Sequence, residues 1–438
     1  MNKETWQQLY KNSALRKRVL VVLGIMVAYS LLSQIPVPVP DSSKLQIFLT
    51  KLFESSSLLG FVNIFSGGAL SRFSVLLMGL GPYINASIII QLLTQVVPKL
   101  DALSKEGEAG RNKINYYTRL LTLPLAIIQA IATVFLVRNL SVKSAGIDLI
   151  GNPTIFQWVL MISTIVAGSM LLMWLGELIT EKGIGNGISM IILFGIVSSL
   201  PATYASQFAL VQSDPTKLTS FIFIIIAAIA SVIFIVYLNE GQRNIPISYA
   251  RRISNAQAYS GVDTHLPLRV ITAGVIPIIF ALAFLSVPTF LGQLFVNAKT
   301  AWLASFATKM TAWFSPTSWI YAITYFVLVV GFTYFYTAII FKPDEIAENL
   351  QKQGGFIPGV RPGEETSKYL KNIITRITFT GSLGLGIVAL LPFVMQTVFK
   401  TSQAVTIGGT SLLIIVAVII ETVKQIQSLA LMATYEKY

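Results

Sequence analysis

The sequence predicts an all-α integral membrane protein of ten transmembrane helices, and three observations predict it. Charged residues make up 12% of the 438-residue chain and hydrophobic ones 54%, at a mean hydropathy of +0.70. A soluble domain carries about 25% charged residues, so too little charge remains to wet the outside, and lipid must cover most of it. Second, ten apolar runs recur, each near the length of about 20 residues needed to cross roughly 30 Å of hydrocarbon. They lie at about 19–35, 75–97, 118–138, 155–176, 186–200, 219–238, 269–290, 318–341, 373–395 and 407–427, the fifth being the shortest. Third, basic residues keep to alternate loops. With the N-terminus inside, the inner segments hold 23 of the 32 Lys and Arg residues and the outer loops seven, with Arg72 and Arg138 near span ends. Positive charge collects on the cytoplasmic side, which places both termini there. Topology thus explains the net charge of +13, and direct DNA binding loses its support.

In chain order, the leader 1–18 (MNKETWQQLYKNSALRKR) is long, polar and basic, and no small-x-small cleavage site follows it before Pro36. It reads as a retained cytoplasmic amphipathic segment rather than a cleaved signal. Before the second span, Asn63-Ile-Phe-Ser-Gly-Gly-Ala-Leu-Ser-Arg72 is too short and polar to cross. It is compatible with a surface loop and with a half-helix folded back into the protein, where irregular backbone is tolerated at membrane depth. The second span carries Ser87, Gln91 and Thr94 or Gln95 on one helical face. Amides facing lipid would go unsatisfied, so that face should meet another helix or water; helix packing and a pore or gate both fit.

The string Gly79-Leu-Gly-Pro82-Tyr-Ile84 recurs as Gly274-Val-Ile-Pro277-Ile-Ile279, 195 residues later. The two copies fall in the second and seventh runs, equivalent positions if ten spans divide five and five. Matched Gly/Pro breaks in two halves point to the functional site of a transport fold. Gly183-Ile-Gly-Asn-Gly187 follows no strand and is not a dinucleotide loop. Gly384-Leu-Gly386 lies inside a span, where close helix packing accounts for it.

Chemistry is conspicuously missing. There are no cysteines, which removes disulfides, zinc ribbons and thiol nucleophiles. The single histidine, His265, reads as a loop residue and builds no metal site. No phosphate-binding G-x-x-x-x-G-K-[ST] string, H-E-x-x-H or G-x-S-x-G occurs. The expectation is therefore no enzyme, no cofactor and no metal. Charge inside the spans is scarce, with Glu177 and Glu421 at cytoplasmic ends and Arg138 at an outer end. Ion-coupled carriers place ionisable groups along the path. A secondary solute transporter with internal repeats is the alternative reading, and it lacks them.

Five strings, read in order, carry a resemblance. Gly79-Leu-Gly-Pro-Tyr-Ile-Asn-Ala-Ser-Ile-Ile-Ile-Gln-Leu-Leu93 closely resembles the second-span signature of the SecY/Sec61-alpha family, the channel subunits of the Sec translocon. Leu178–Ser189 resembles the family's second signature. Gly241–Arg252 resembles its loop between spans six and seven. Glu345–Leu350 through Gly354–Gly363 resembles the next cytoplasmic loop, and Gly408–Ile414 the start of span ten.

The resemblance implies two pseudo-symmetric five-helix halves around a central pore, with a re-entrant plug half-helix. The expected division is a leader 1–18, an N-terminal half 19–200, a C-terminal half 201–427 with cytoplasmic loops 239–268 and 342–372, and a tail 428–438. It implies a plug at 61–74, carrying Asn63, Ile64, Phe65, Gly67, Gly68, Leu70 and Arg72. The implied pore ring is Leu80, Ile84, Ile192, Ile196, Ile279 and Ile414, a gasket that would seal by van der Waals contact and dewetting. The lateral gate would set Asn85, Ser87 and Gln91 of span two against the region through Val287 of span seven. Arg243 and Arg361 would receive the motor. The implied partners are SecE, SecG, SecA, the ribosome, signal sequences, unfolded polypeptides and lipid. The implied place is the bacterial plasma membrane, with transport outward and release of apolar segments sideways.

Overall fold

The computed structural model describes residues 13–39, 45, 49, 69–70, 72–145, 153–213, 218–249, 264–272, 274, 276–295, 300–315, 318–399 and 408–435. Among these, the N-terminal part comprises α1 (Ser13–Leu32), α2 (Gly81–Val96), α3 (Pro98–Lys105), α4 (Glu108–Ala145), α5 (Ile155–Lys182) and α6 (Gly187–Ser213). The C-terminal part comprises α7 (Leu218–Glu240), β1 (Gln242–Tyr249), β2 (Thr264–Arg269), α8 (Ile276–Phe295), α9 (Ala301–Trp313) and α10 (Trp319–Ile340). It continues with α11 (Pro343–Lys352), β3 (Gly355–Phe356), α12 (Glu364–Phe399) and α13 (Gly408–Tyr435).

A helix thus stands at each of the ten expected positions. Among the described residues, α4, α5, α7, α10, α12 and α13 are long and apolar enough to cross a bilayer. The pair α2 and α3, bent by 100°, makes a seventh if it crosses as one, and the apolar parts of α6 and α8 are shorter. The bend has a local cause: Val97, held extended at ψ 110°, precedes Pro98, and a residue before proline is driven out of the helical region. The start of α5 is fixed by a capping box, Gln157 N–H donating to Thr154 Oγ1 (3.4 Å) and Thr154 N–H to Gln157 Oε1 (2.9 Å). Helix α6 continues through the expected boundary at residue 200 to Ser213.

Helix pairing repeats between the halves. In the first, α2 packs on α4, α4 on α5, α5 on α6 and α1 on α5. In the second, the corresponding pairs recur as α8 on α10, α10 on α12, α12 on α13 and α7 on α12, with a further contact of α7 on α13. The halves meet where α2 packs on α8 and α6 on α13, each a contact between helices in equivalent positions; α8 also touches α4. Glycines allow close seating. A Cβ on Gly384 would meet Leu238 of α7 at 2.8 Å, and one on Gly386 would meet Phe326 of α10 at 2.5 Å.

The two loops of the C-terminal half that were expected to be cytoplasmic contribute described segments to one folded unit. β1 is the middle strand of a sheet ordered β2-β1-β3, antiparallel to both neighbours. Ile245, Leu268, Ile357, Leu370, Ile373 and Ile374 form its own small core. His265 belongs to this sheet, opposite Pro246 on β1, and is not the loop residue expected.

Candidate functional site

Both copies of the G-x-x-P-x-I string begin a helix rather than break one. Gly79 has φ +54° and Gly274 φ +62°, left-handed conformations that glycine adopts without strain. Pro82 and Pro277 are then the second residues of α2 and α8, where a proline's missing N–H is not needed. The second span was expected from residue 75, yet residues before Gly81 form turns. Their backbone is tied to the end of the first span: Val37 N–H donates to Phe73 O and Val75 N–H to Ile35 O, both 2.9 Å. The apolar character of Leu76, Leu77 and Leu80 reflects burial among protein side chains, which hydropathy alone cannot tell from a span.

The six expected ring residues lie on, or beside, helices that pair across the two halves. Leu80 immediately precedes α2 and Ile84 lies on it; Ile192 and Ile196 are on α6, Ile279 on α8 and Ile414 on α13. These four helices pair across the two halves, α2 with α8 and α6 with α13. All six belong to one apolar cluster, five of them buried and Ile84 half-buried against it. Such a set offers no group for acid–base or nucleophilic work; it can exclude water and yield to any shape. Among the described residues, no three His, Asp or Glu side chains gather closely enough to hold a metal ion.

The contact of α2 with α8 is chemically sparse on the α2 side. Gln91 Nε2 donates to Ser87 Oγ (3.0 Å), and Thr94 Oγ1 donates to the Gln91 carbonyl (2.6 Å). Gln91 Oε1 is buried with no hydrogen-bond partner. Asn85 is half-buried, while Val287 on α8 is 42% exposed. On its other side α8 is held by aromatics that sequence reasoning missed. Phe280 meets Phe332 and Tyr336 of α10 edge-on, with centroids 6.0 Å apart in each case, and Phe284 meets Phe332 at 6.2 Å. The signal was present as two i, i+4 aromatic pairs. Each such contact contributes about 0.5–1.5 kcal/mol, against about 0.6 kcal/mol for an intramembrane hydrogen bond. α8 is therefore bound more firmly to α10 than polar contacts could bind it to α2.

Of the expected plug, Asn63, Ile64, Phe65, Gly67 and Gly68 lie outside the described residues. Leu70 is buried in a second apolar cluster with Phe73, Leu77, Val134 and Ile165, and Arg72 is exposed. Arg243 is exposed on β1 opposite Leu268. Arg361 is exposed between Gly359 (φ +82°) and Gly363 (φ +98°), and its carbonyl accepts from Thr366 Oγ1 at 2.9 Å. The Ser367 hydroxyl donates to Asp344, tying α12 to α11. Both arginines thus project from the same folded unit of β-sheet, α11 and α12.

A family model described as SecY matches residues 74–423. Among curated proteins, the protein translocase subunit SecY of Streptomyces coelicolor is 42% identical over 436 residues, covering 98% of each chain. Its counterpart from Mycobacterium bovis is 39% identical over 433 residues, covering 97% of each. Solved structures share the fold at low identity. A protein-conducting channel superposes with a TM-score of 0.65 at 18% identity, over 95% of this chain and 93% of the other. Sec61 from the canine ribosome-channel complex of the endoplasmic reticulum gives 0.64, also at 18% identity, with the same coverage.

Proposed function

The chain belongs to the SecY family, and from that membership we propose that it is the central channel subunit of a bacterial Sec translocon. It conducts unfolded secretory polypeptides across the membrane and releases apolar segments sideways into lipid. The observation that carries this reading is that six aliphatic side chains, drawn from both halves, belong to one apolar cluster that holds no carboxylate, lysine, arginine or histidine. A seal of that kind accepts a passing chain of any sequence and gives ions no foothold. A solute carrier would need specific polar or charged contacts at that place.

In this reading Leu80, Ile84, Ile192, Ile196, Ile279 and Ile414 form the ring, and residues 61–74 the plug. The lateral gate is the α2–α8 contact, with Asn85, Ser87 and Gln91 facing the Val287 side. The chain performs no catalysis itself. Drive comes from SecA with ATP or from the ribosome, received at Arg243 and Arg361, with SecE and SecG as membrane partners. The relatives' name as translocase subunits and the ribosome-bound state of one related channel support those assignments. The Lys and Arg bias supports ten spans in the plasma membrane with both ends in the cytoplasm.

Reconstitution tests it. Vesicles holding this chain with SecE and SecG, given SecA and ATP, should shelter a secretory precursor from added protease. Well-folded complexes that bind SecA yet shelter none would overturn the reading.

A further inference from the structure

The channel reading leaves α9 without a task. This helix joins α8 to α10 and divides into three faces. At 3.6 residues per turn, Trp302, Phe306, Lys309 and Trp313 fall on one stripe. Trp302 is 75% exposed, Phe306 52% and Trp313 51%, and the Trp302 and Phe306 rings stack at 6.3 Å. About 120° away, Ala307 turns inward and seats on α8, where a Cβ on Gly292 would meet Thr311 Cγ2 at 2.7 Å. At the carboxyl end of α9 the Thr289 hydroxyl of α8 donates to Phe314 O at 3.5 Å. The third face carries the exposed Ser305 and Thr308.

An aromatic face, a protein face and a small polar face are what a helix lying along a membrane surface requires. Tryptophan prefers the headgroup level, and a lysine among apolar neighbours can raise its amine to water while its stem stays in the apolar layer. Three of the chain's six tryptophans, Trp302, Trp313 and Trp319, lie within this short stretch. The stripe also continues the exposed apolar surfaces of the helices on either side, Leu291 and Phe295 of α8 and Trp319 and Ile323 of α10. We propose that α9 is an interfacial anchor whose aromatic stripe docks into the headgroup–acyl boundary of the outer leaflet. The inference rests on α8 and α10 crossing the bilayer as the channel reading has them.

The chain's lack of cysteine allows single Phe306→Cys, Ser305→Cys and Val327→Cys variants of the full chain, each carrying an NBD fluorophore. They would be assembled with SecE in phosphatidylcholine–phosphatidylglycerol vesicles. At 306, lipid spin-labelled near the headgroup should quench and aqueous iodide should not; at 305 the preference should reverse. Val327, exposed midway along α10, should respond to spin labels deep in the acyl region. Iodide quenching at 306 as strong as at 305 would overturn the anchor, and deep-lipid quenching at 327 would show the span surviving that loss. Iodide quenching at 327 would instead overturn the span, and the anchor with it. Protection at 306 seen only at high protein-to-lipid ratio would identify a second copy as the occupant and reject the lipid assignment.

Discussion

At Gly187, the first residue of α6, an added Cβ would lie 1.7 Å from the carbonyl oxygen of Gly176 on α5. Backbone cannot step aside as a side-chain end can, so Gly187→Ala must part the α5–α6 hairpin. Overpacking of this kind costs about 1–3 kcal/mol, and a melt of the purified protein should show a clear loss. Gly331→Ala, in the interior of α10, is the control, since it has no positive φ and nothing within 4 Å; its melt should not fall, because alanine favours a helix over glycine. Equal melts for Gly187→Ala and the parent would deny the close approach. Arg361 is a different case, exposed on a turn with two glycines at positive φ. Arg361→Glu should leave the melt unchanged and slow SecA-driven precursor uptake several-fold. An unaltered uptake rate would remove it from the docking surface.

Among the elements, α2 and α8 share a beginning and are held unequally. With α8 fastened to α10 by three aromatic contacts, separation should occur between α8 and α2. A cross-linker joining Asn85→Cys to Val287→Cys should therefore stop precursor passage, and cleavage of the link should restore it; passage at the unlinked rate would mean the gate lies elsewhere. The sequence made the position of each long helix legible because apolar length reports a span directly. The six residues proposed for the ring all fall in one apolar cluster, but their role rests on the resemblance alone. The sequence misjudged what burial by protein decides. Val75 to Leu80 are as apolar as a span, yet bridges to residues 35–37 hold them as turns. The alternation in Asn244-Ile-Pro-Ile-Ser248, with Ile245 and Ile247 buried, was a strand signal, obscured by a proline in mid-strand. The partner β3 lies over a hundred residues away, and no local pattern announces such a pairing.

For the molecule as a whole, the repeated pairing of helices makes each half a unit, joined to the other at α2–α8 and α6–α13 with further contacts at α4–α8 and α6–α7. The orientation deduced from basic loops has a direct check. In intact cells, a Cys replacing Ser305 should react with an impermeant maleimide, and one replacing Lys105 should react only after the membrane is opened. The reverse pattern would invert the topology. The three-stranded sheet also has a mechanical consequence. Its small core includes Leu370, Ile373 and Ile374 of α12, a helix of 36 residues and hence about 54 Å long. The stretch Glu364–Leu391 that precedes Pro392 is about 42 Å long and by itself exceeds the roughly 30 Å of hydrocarbon. The sheet is thus mounted on a helical shaft with no proline before residue 392. In the channel reading, a load at Arg243 or Arg361 would pass along this shaft to where Gly384 and Gly386 seat against α7 and α10.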